Sequence, residues 1–341
     1  MKVGEDAMKK ESRLKALSSH KGLTLLAIMV ILIVVFAIIN PGYIGRSNVM
    51  IMTKGMSFTG FLGLGIACLL IGGGVDLGTG ATAGLAGVLC GLVLQAGYPW
   101  PLAVIVAVVF GAAAGAVNAF LVNGLNMMPF IATIGMSSVW QGVSFVSTRA
   151  NPVKWSNAAF DKLGTITFFD GYMPLSFLIL IVLMIAYGFI LQKTKAGRSI
   201  YICGGNRNAA RLAGINPKKV TTLLFINCSS VSALGGVMLA ANMRRGDPMP
   251  LPQGMDAITA AILGGVSFMG GSGGVGGLFI GLMLLTTFSN GLNVVQLKSY
   301  WQIFAQGILL IIALTVDFYR DQSRQKALKA AKLLHNAASE A

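Results

Sequence analysis

A chain of 341 residues that is 55% apolar and only 11% charged departs from soluble domains, where roughly a quarter of residues are charged. That composition excludes a soluble globular core, and the apolar runs approach the ~20 residues that cross a bilayer. The net charge of +15 does not point to nucleic acid, because the basic residues gather in a few segments between apolar runs. The expectation is an all-α polytopic membrane protein.

Taken in order, the sequence divides into a basic tail (residues 1–22), a membrane domain (23–317) and a second basic tail (318–341), with a long polar interruption at 193–219. Of the 26 Lys/Arg, six lie in the first tail, seven in the interruption and five in the last tail. The positive-inside rule places these segments, and so both termini, in the cytoplasm, with the last tail near anionic lipid. Residues 1–39 carry basic residues before an apolar run, as a signal peptide does. That run ends at Ile39-Asn40-Pro41 without a small-residue cleavage site, so it reads as a retained first helix, Leu23–Ile39.

About ten transmembrane helices are expected. After the first come Val49–Ile71, Ala81–Ala96, Leu102–Val122, Phe130–Val146, Met173–Leu191, Val220–Ala241, Ala257–Met269, Leu278–Val295 and Trp301–Val316. Residues 149–172 and Asn242–Gly254 would be external. The eighth span is short for a bilayer, which suits a buried, broken or tilted helix. Asn123-Gly124-Leu125-Asn126 after the fourth span matches Asn290-Gly291-Leu292-Asn293 at the end of the ninth. Those spans run in opposite directions, as in an inverted repeat of spans two to five onto seven to ten. Gly80/Gly84, Gly87/Gly91, Gly111/Gly115 and Gly277/Gly281 are spaced for close helix contact.

Within 193–219, Asn206 and Asn208 are candidate N-caps, Ala209–Ala213 favours helix, and Gly214 is placed as a stop. This describes a helix of about two turns, too short to stand alone in water. Ala209, Leu212 and Ala213 share one face, flanked by Arg207 and Arg211. The segment reads either as a docking helix or as a basic loop that only sets topology.

The chemistry-bearing motifs are few. Gly72–Gly84, GGGVDLGTGATAG, places Asp76 in an apolar region; an embedded charge is costly, so Asp76 faces a partner or water. It reads as a cap for the third helix or as part of a path. Gly271–Gly276 matches GxGxxG but joins two hydrophobic helices, so it reads as a turn and not a dinucleotide site. No P-loop occurs, and His20 and His335 lie in the tails, leaving no embedded His for catalysis or metal. The four cysteines are isolated, without metal spacing. Neutral polar side chains in or near the spans suit, as a set, a neutral, hydroxyl-rich solute, whereas any single one reads better as interhelical glue. Asp76, Asn118, Asn123, Asn126, Phe130, Asn290 and Asn293 are the candidates for a translocation path or gate.

The run AGRSIYICGGNRNAARLAGI resembles the cytoplasmic loop of ribose-type (monosaccharide) ABC importer permeases, and GGGVDLGTGATAG, PFIATIG, DAITAAILGGVSFMGG and NGLN extend the resemblance over roughly Asn40–Asp317. Branched-chain amino-acid permeases resemble it more distantly. The resemblance implies that the loop holds a coupling helix, with Gly204, Gly205, Asn206, Ala209, Ala210, Arg211, Leu212 and Gly214 as its ATPase-coupling residues. It implies a dimer with a twin or sister permease, a separate ATP-binding-cassette subunit that uses ATP and Mg, and an extracytoplasmic sugar-binding protein, all at a bacterial inner membrane. No cofactor or metal is expected in this chain. Relatives usually have Ser after Asp-Leu, where Gly78 and then Thr79 stand here. A nucleoside, an autoinducer or a branched-chain amino acid are the alternative cargoes. A secondary transporter or channel is the alternative class, and a membrane enzyme lacks a catalytic constellation.

Overall fold

The computed structural model describes residues 25–249 and 251–339. The expected N-terminal tail, residues 1–22, lies outside them. Thirteen α-helices are present among the described residues: α1 (Leu25–Ile39), α2 (Arg46–Ile71), α3 (Thr79–Gln95), α4 (Trp100–Asn123), α5 (Pro129–Thr148), α6 (Ala158–Thr165), α7 (Leu175–Lys193), α8 (Lys195–Gly205), α9 (Arg207–Leu212), α10 (Pro217–Met243), α11 (Gln253–Leu263), α12 (Val275–Val294) and α13 (Ser299–Ser339). Each segment expected to span is helical, and seven helices are long and apolar enough to cross a membrane: α2, α4, α5, α7, α10, α12 and the Ser299–Tyr319 part of α13. The protein is an all-α polytopic membrane protein. Its last helix continues into the region expected to be a separate tail from residue 318.

The bundle is organised around α2. This helix is apolar on all sides, as interior helices are, and 89% of its membrane-length stretch is buried, against 11% for α13. Three glycines on α2 let three neighbours approach. Gly60 faces the Leu180 side chain of α7, a Cβ on Gly63 would lie 3.2 Å from Leu278 of α12, and one on Gly65 would lie 2.9 Å from the Cys228 backbone of α10. α10 in turn packs on α3 and α4. A Cβ on Gly111 of α4 would lie 2.7 Å from the Ser229 carbonyl, and Gly115 sits against the Phe225 carbonyl, so this glycine pair makes the α4–α10 contact. Gly277 and Gly281 do the same between α12 and α11, against the Gly264 and Ala260 carbonyls.

The short eighth span is α11, a buried helix of 11 residues. It ends at Leu263, not near Met269, because Gly264 and Gly265 follow and Gly265 has φ +87°, a conformation that favours glycine. The connection to α12 is irregular but paired internally: Gly271 N donates to Ile71 O at 2.8 Å and Ser267 N to Ser272 O at 3.0 Å. Irregular backbone among spanning helices requires such partners. The GxGxxG segment is no nucleotide loop after a strand: Gly271–Gly274 belong to this connection, as expected, and Val275–Gly276 open α12.

The two segments expected to be external meet. β1 (Val153–Lys154) pairs antiparallel with β4 (Arg245–Gly246), and β2 (Thr167–Phe168) with β3 (Met173–Pro174). Trp155 Nε1 donates to Asp161 Oδ1 at 2.9 Å, and Arg244 lies 3.9 Å from the other oxygen of Asp161. Next to this cap the first turns of α3 and α11 touch, a Cβ on Gly254 lying 2.9 Å from Gly80 N, and just before α11 Leu251 N donates to Gly80 O at 3.2 Å.

Gly111→Leu should lower the thermal stability of the detergent-solubilised protein, because overpacking a tight contact costs about 1–3 kcal/mol. Gly142→Leu, where an added Cβ meets nothing within 4 Å, should leave it unchanged or raise it. Equal melting temperatures for the two variants would show that the α4–α10 contact is not close.

Candidate translocation and coupling site

The basic segment 193–219 folds into two helices, not one. α8 was not anticipated: its N-cap is Thr194, whose hydroxyl accepts from Gly197 N at 3.2 Å. α9 begins where expected. The Asn206 side chain accepts from Asn208 N at 2.9 Å and Ala209 N at 3.1 Å, so Asn206 is the cap and Asn208 lies inside the helix. Gly214, at φ +75°, terminates the segment. Ala210 is fully buried against the body, whereas Leu212 is 91% exposed with Ala209 and Ala213 beside it. The expected ridge is therefore an outward face, held from behind by Ala210.

The C-terminal end of α8 is seated on the end of α2. Gly204 lies against the Ile71 carbonyl, and a Cβ there would lie 2.7 Å from Gly271 N; a Cβ on Gly73 would lie 3.3 Å from Gly204 Cα. Tyr201 OH donates to Gly273 O at 2.8 Å. Three chain segments thus meet at a glycine joint: the end of α2, the end of α8 and the α11–α12 connection. A Cβ on Gly205 meets nothing within 4 Å, but one on Gly271 would lie 2.7 Å from Gly205 Cα, so the backbones of Gly204 and Gly205 both take part in the close approach.

Asp76 is fully buried between α2 and α3. Its Oδ1 accepts from Gly78 N at 2.8 Å, and its Oδ2 accepts from Asn118 Nδ2 at 3.1 Å and Ser229 Oγ at 3.5 Å. It fixes the turn before α3 and ties that turn to α4 and α10, without capping α3 directly: Gly78 holds the cap position. Leu77 N adds a bond to Thr133 Oγ1 of α5 at 3.1 Å.

A separate cleft of about 250 Å³ opens between the first half of α2, the start of α11 and the end of α12, lined by Thr59, Gln253, Asp256, Ser289, Asn290 and Asn293 with apolar neighbours. Asn290 and Asn48 exchange two amide hydrogen bonds, at 2.9 and 3.0 Å. Gln302 and Gln306 of α13 hold Asn293 Oδ1 and Ser289 Oγ at 2.9 and 3.0 Å. From Gly55 beside this cleft to Ile71 at the glycine joint is about 24 Å along α2, at ~1.5 Å per residue.

The structure thus brings the expected path residues together in pairs, not as one set. Asp76 joins Asn118, and Asn290 joins Asn293 in the cleft. Asn123 lies elsewhere, its Nδ2 donating to Lys218 O at 3.1 Å and Thr222 Oγ1 at 2.9 Å. Asn126, at φ +54°, and Phe130, 52% exposed, are on the surface and line neither group. Asp256 and Gln253 were not among the expected residues. Their signal was the acid in DAITAAIL, which fell between the expected external segment, ending at Gly254, and the expected span, starting at Ala257.

A bundle of apolar helices with a polar cleft near one end of α2 and a basic segment seated on the other end suits a membrane transport subunit. The chain belongs to the family described as branched-chain amino acid transport system / permease component, whose model matches residues 47–314. It is similar to the ribose import permease protein of Bacillus subtilis (30% identical, covering 84% of this chain and 89% of that one). It is similar also to the D-allose transport system permease protein of Escherichia coli K12 (31%, 85% and 89%) and to a probable ABC transporter permease protein of the same strain (31%, 89% and 91%). No solved structure gives a significant match. The resemblance to ribose-type ABC importer permeases therefore holds, and the protein is a multi-pass permease of the bacterial inner membrane.

Asp76→Ala should leave Gly78 N and the Asn118 amide without their acceptor, a loss of about 1–3 kcal/mol for each buried group left unpaired. We expect a lower melting temperature and less protein in the membrane; wild-type values of both would remove Asp76 from its place as a tie between α3, α4 and α10.

Proposed function

We propose that this chain is the permease subunit of an ATP-binding-cassette importer that passes a monosaccharide or similar neutral polyol. The observation that carries the reading is the anchoring of the basic segment on the end of α2, with the Leu212 face of α9 left outward. A helix held from behind and open in front suits docking into another subunit, and its seat on α2 reaches the helix that borders the cleft. The cleft's amides and hydroxyls suit hydroxyl groups, and relatives named for ribose and allose import support the cargo class.

In this reading α1, α2, α3, α4, α5, α7, α10, α11, α12 and α13 are ten spans with both termini cytoplasmic. The β1–β4 pairing supports one extracytoplasmic face, because β4 follows α10 while the basic segment precedes it. An inverted repeat of α2–α5 onto α10–α13 is supported by the two Asn-Gly-Leu-Asn runs. Asn123, ending α4, bonds to the start of α10, and Asn290, near the end of α12, bonds to the start of α2. Exchanging the halves turns one contact into the other. The residues from Gly204 to Gly214 would form the coupling surface. The working assembly would pair the chain with a second permease in lipid, a sugar-binding protein outside and an ATPase inside, which alone would use ATP and Mg.

Moving a permease from about 1:99 to 99:1 between inward and outward states requires roughly 5.5 kcal/mol of differential binding, which α9 transmits only while seated on its partner. Leu212→Asp places a carboxylate on the docking face, and burying it unpaired costs several kcal/mol. The variant should reach the membrane folded but neither co-purify with the ATPase nor support ATP-driven uptake in vesicles. Assembly and transport at wild-type levels would mean that the segment only sets topology, and uptake driven by an ion gradient alone would favour a secondary transporter.

A further inference from the structure

Two acceptors in the cleft have nothing to accept. Gln253 Oε1 is buried without a hydrogen-bond partner, and the Asp256 carboxylate has no hydrogen bond or ion pair among the described residues. Both belong to the first turn of α11, on one wall of the cleft. The facing wall differs. Asn290 is oriented by its exchange with Asn48 and keeps one N–H and one lone pair free, and Asn293 and Ser289 are held from α13, with Asn293 Nδ2 turned to Ser289 O at 3.2 Å. The amides and hydroxyl of α12 are therefore positioned by protein partners, whereas Asp256 and Gln253 keep their acceptor capacity.

An ionised group in an apolar bundle is costly unless something compensates it, and an unpaired buried acceptor costs about 1–3 kcal/mol. A ligand carrying donors relieves both. We propose that this cleft is a cargo-binding site within the permease, with Asp256 accepting hydrogen bonds from two neighbouring hydroxyls of a saccharide, Gln253 Oε1 accepting a third, and the α12 wall meeting the remaining polar atoms. The proposal rests on the polyol reading above and assigns it a place. A cationic cargo fits less well, because it brings donors only and leaves the amide and hydroxyl wall with no acceptor to serve. The cleft is half apolar, with Ile51, Met52 and Leu285 on its sides, which suits the C–H faces of a sugar ring.

Gly55 offers a way to close the site without touching its polar groups. It borders the cleft, and a Cβ there meets nothing within 4 Å. Gly55→Leu should therefore fit the helix while filling the space a sugar would take. The test is uptake into vesicles holding the complete importer with ATP on the cytoplasmic side, using a labelled panel of pentoses and hexoses that includes D-ribose and D-allose. For whichever sugar the wild type imports, Asp256→Asn should raise the half-saturating concentration by about tenfold to a hundredfold, the range for losing a hydrogen bond to a charged group. Gly55→Leu should abolish uptake while the subunit still co-purifies with the ATPase. Single-deoxy analogues supply the specific readout. The analogue lacking the hydroxyl that Asp256 holds should be transported poorly by the wild type but suffer no further loss in Asp256→Asn, a pattern that a merely structural role would not produce. Wild-type half-saturation in both variants would overturn the site alone, leaving the polyol reading intact. Import of none of the sugars by the wild type would overturn that reading and the site with it.

Discussion

Close approach of neighbouring helices to the glycines of α2 is the constraint on which the rest of this structure depends. Inside a bilayer, burying apolar surface between helices gains little over contact with lipid, so association relies on van der Waals contact and on polar ties. Small residues decide where such contact is possible. Gly60, Gly63 and Gly65 turn three sides of one helix toward α7, α12 and α10, and their spacing by three and two residues points them in different directions around the axis. α2 is thereby enclosed, while α5 and α13 leave broad apolar faces outward.

Enclosure makes α2 a mechanical element as well as a core. Its beginning borders the polar cleft and its end carries the glycine joint with α8 and the α11–α12 connection. The connection from α11 returns to that joint through Gly271 N on Ile71 O, while the start of α11 supplies Asp256 and Gln253 to the cleft. Two routes, α2 and α11, thus lead from the basic segment to the same cavity. A close-packed region tends to hold one arrangement or another, not a continuum, so in the proposed coupling a displacement of α8 would reach the cleft through either helix. Gly204 admits no side chain because the Ile71 carbonyl occupies the space its Cβ would take.

What the sequence made legible follows the range of each interaction. Helical segments were readable because apolar length and turn residues are local properties, and the Asn206 cap and the Gly214 stop were found for the same reason. α8 escaped because Gly197, Gly204 and Gly205 within 11 residues read as loop; two of those glycines serve contacts with Leu191 and Ile71 that no local pattern displays. The outward direction of Leu212 was legible as a ridge, but the inward anchor Ala210 was not distinguished from its neighbours. The ties of Asp76 reach 42 and 153 residues along the chain, to Asn118 and Ser229. Composition signals that a buried acid needs partners and leaves their identity open.

Asp76 and Asp256 show how the same side chain serves two ends in one bundle. Asp76 receives donors from three segments, so its charge is spread over fixed groups and its removal strands all of them. Asp256 has the opposite environment, a cavity in front of it and no donor among the described residues. A protein that needed Asp256 only for folding would gain by supplying a partner, as it does for Asp76, or by replacing the acid with an apolar residue. The unpaired acid lies next to a cleft bounded by α2, the helix that also ends at the glycine joint. Its missing donors are therefore best supplied by a molecule that enters and leaves, which a fixed interhelical tie does not do.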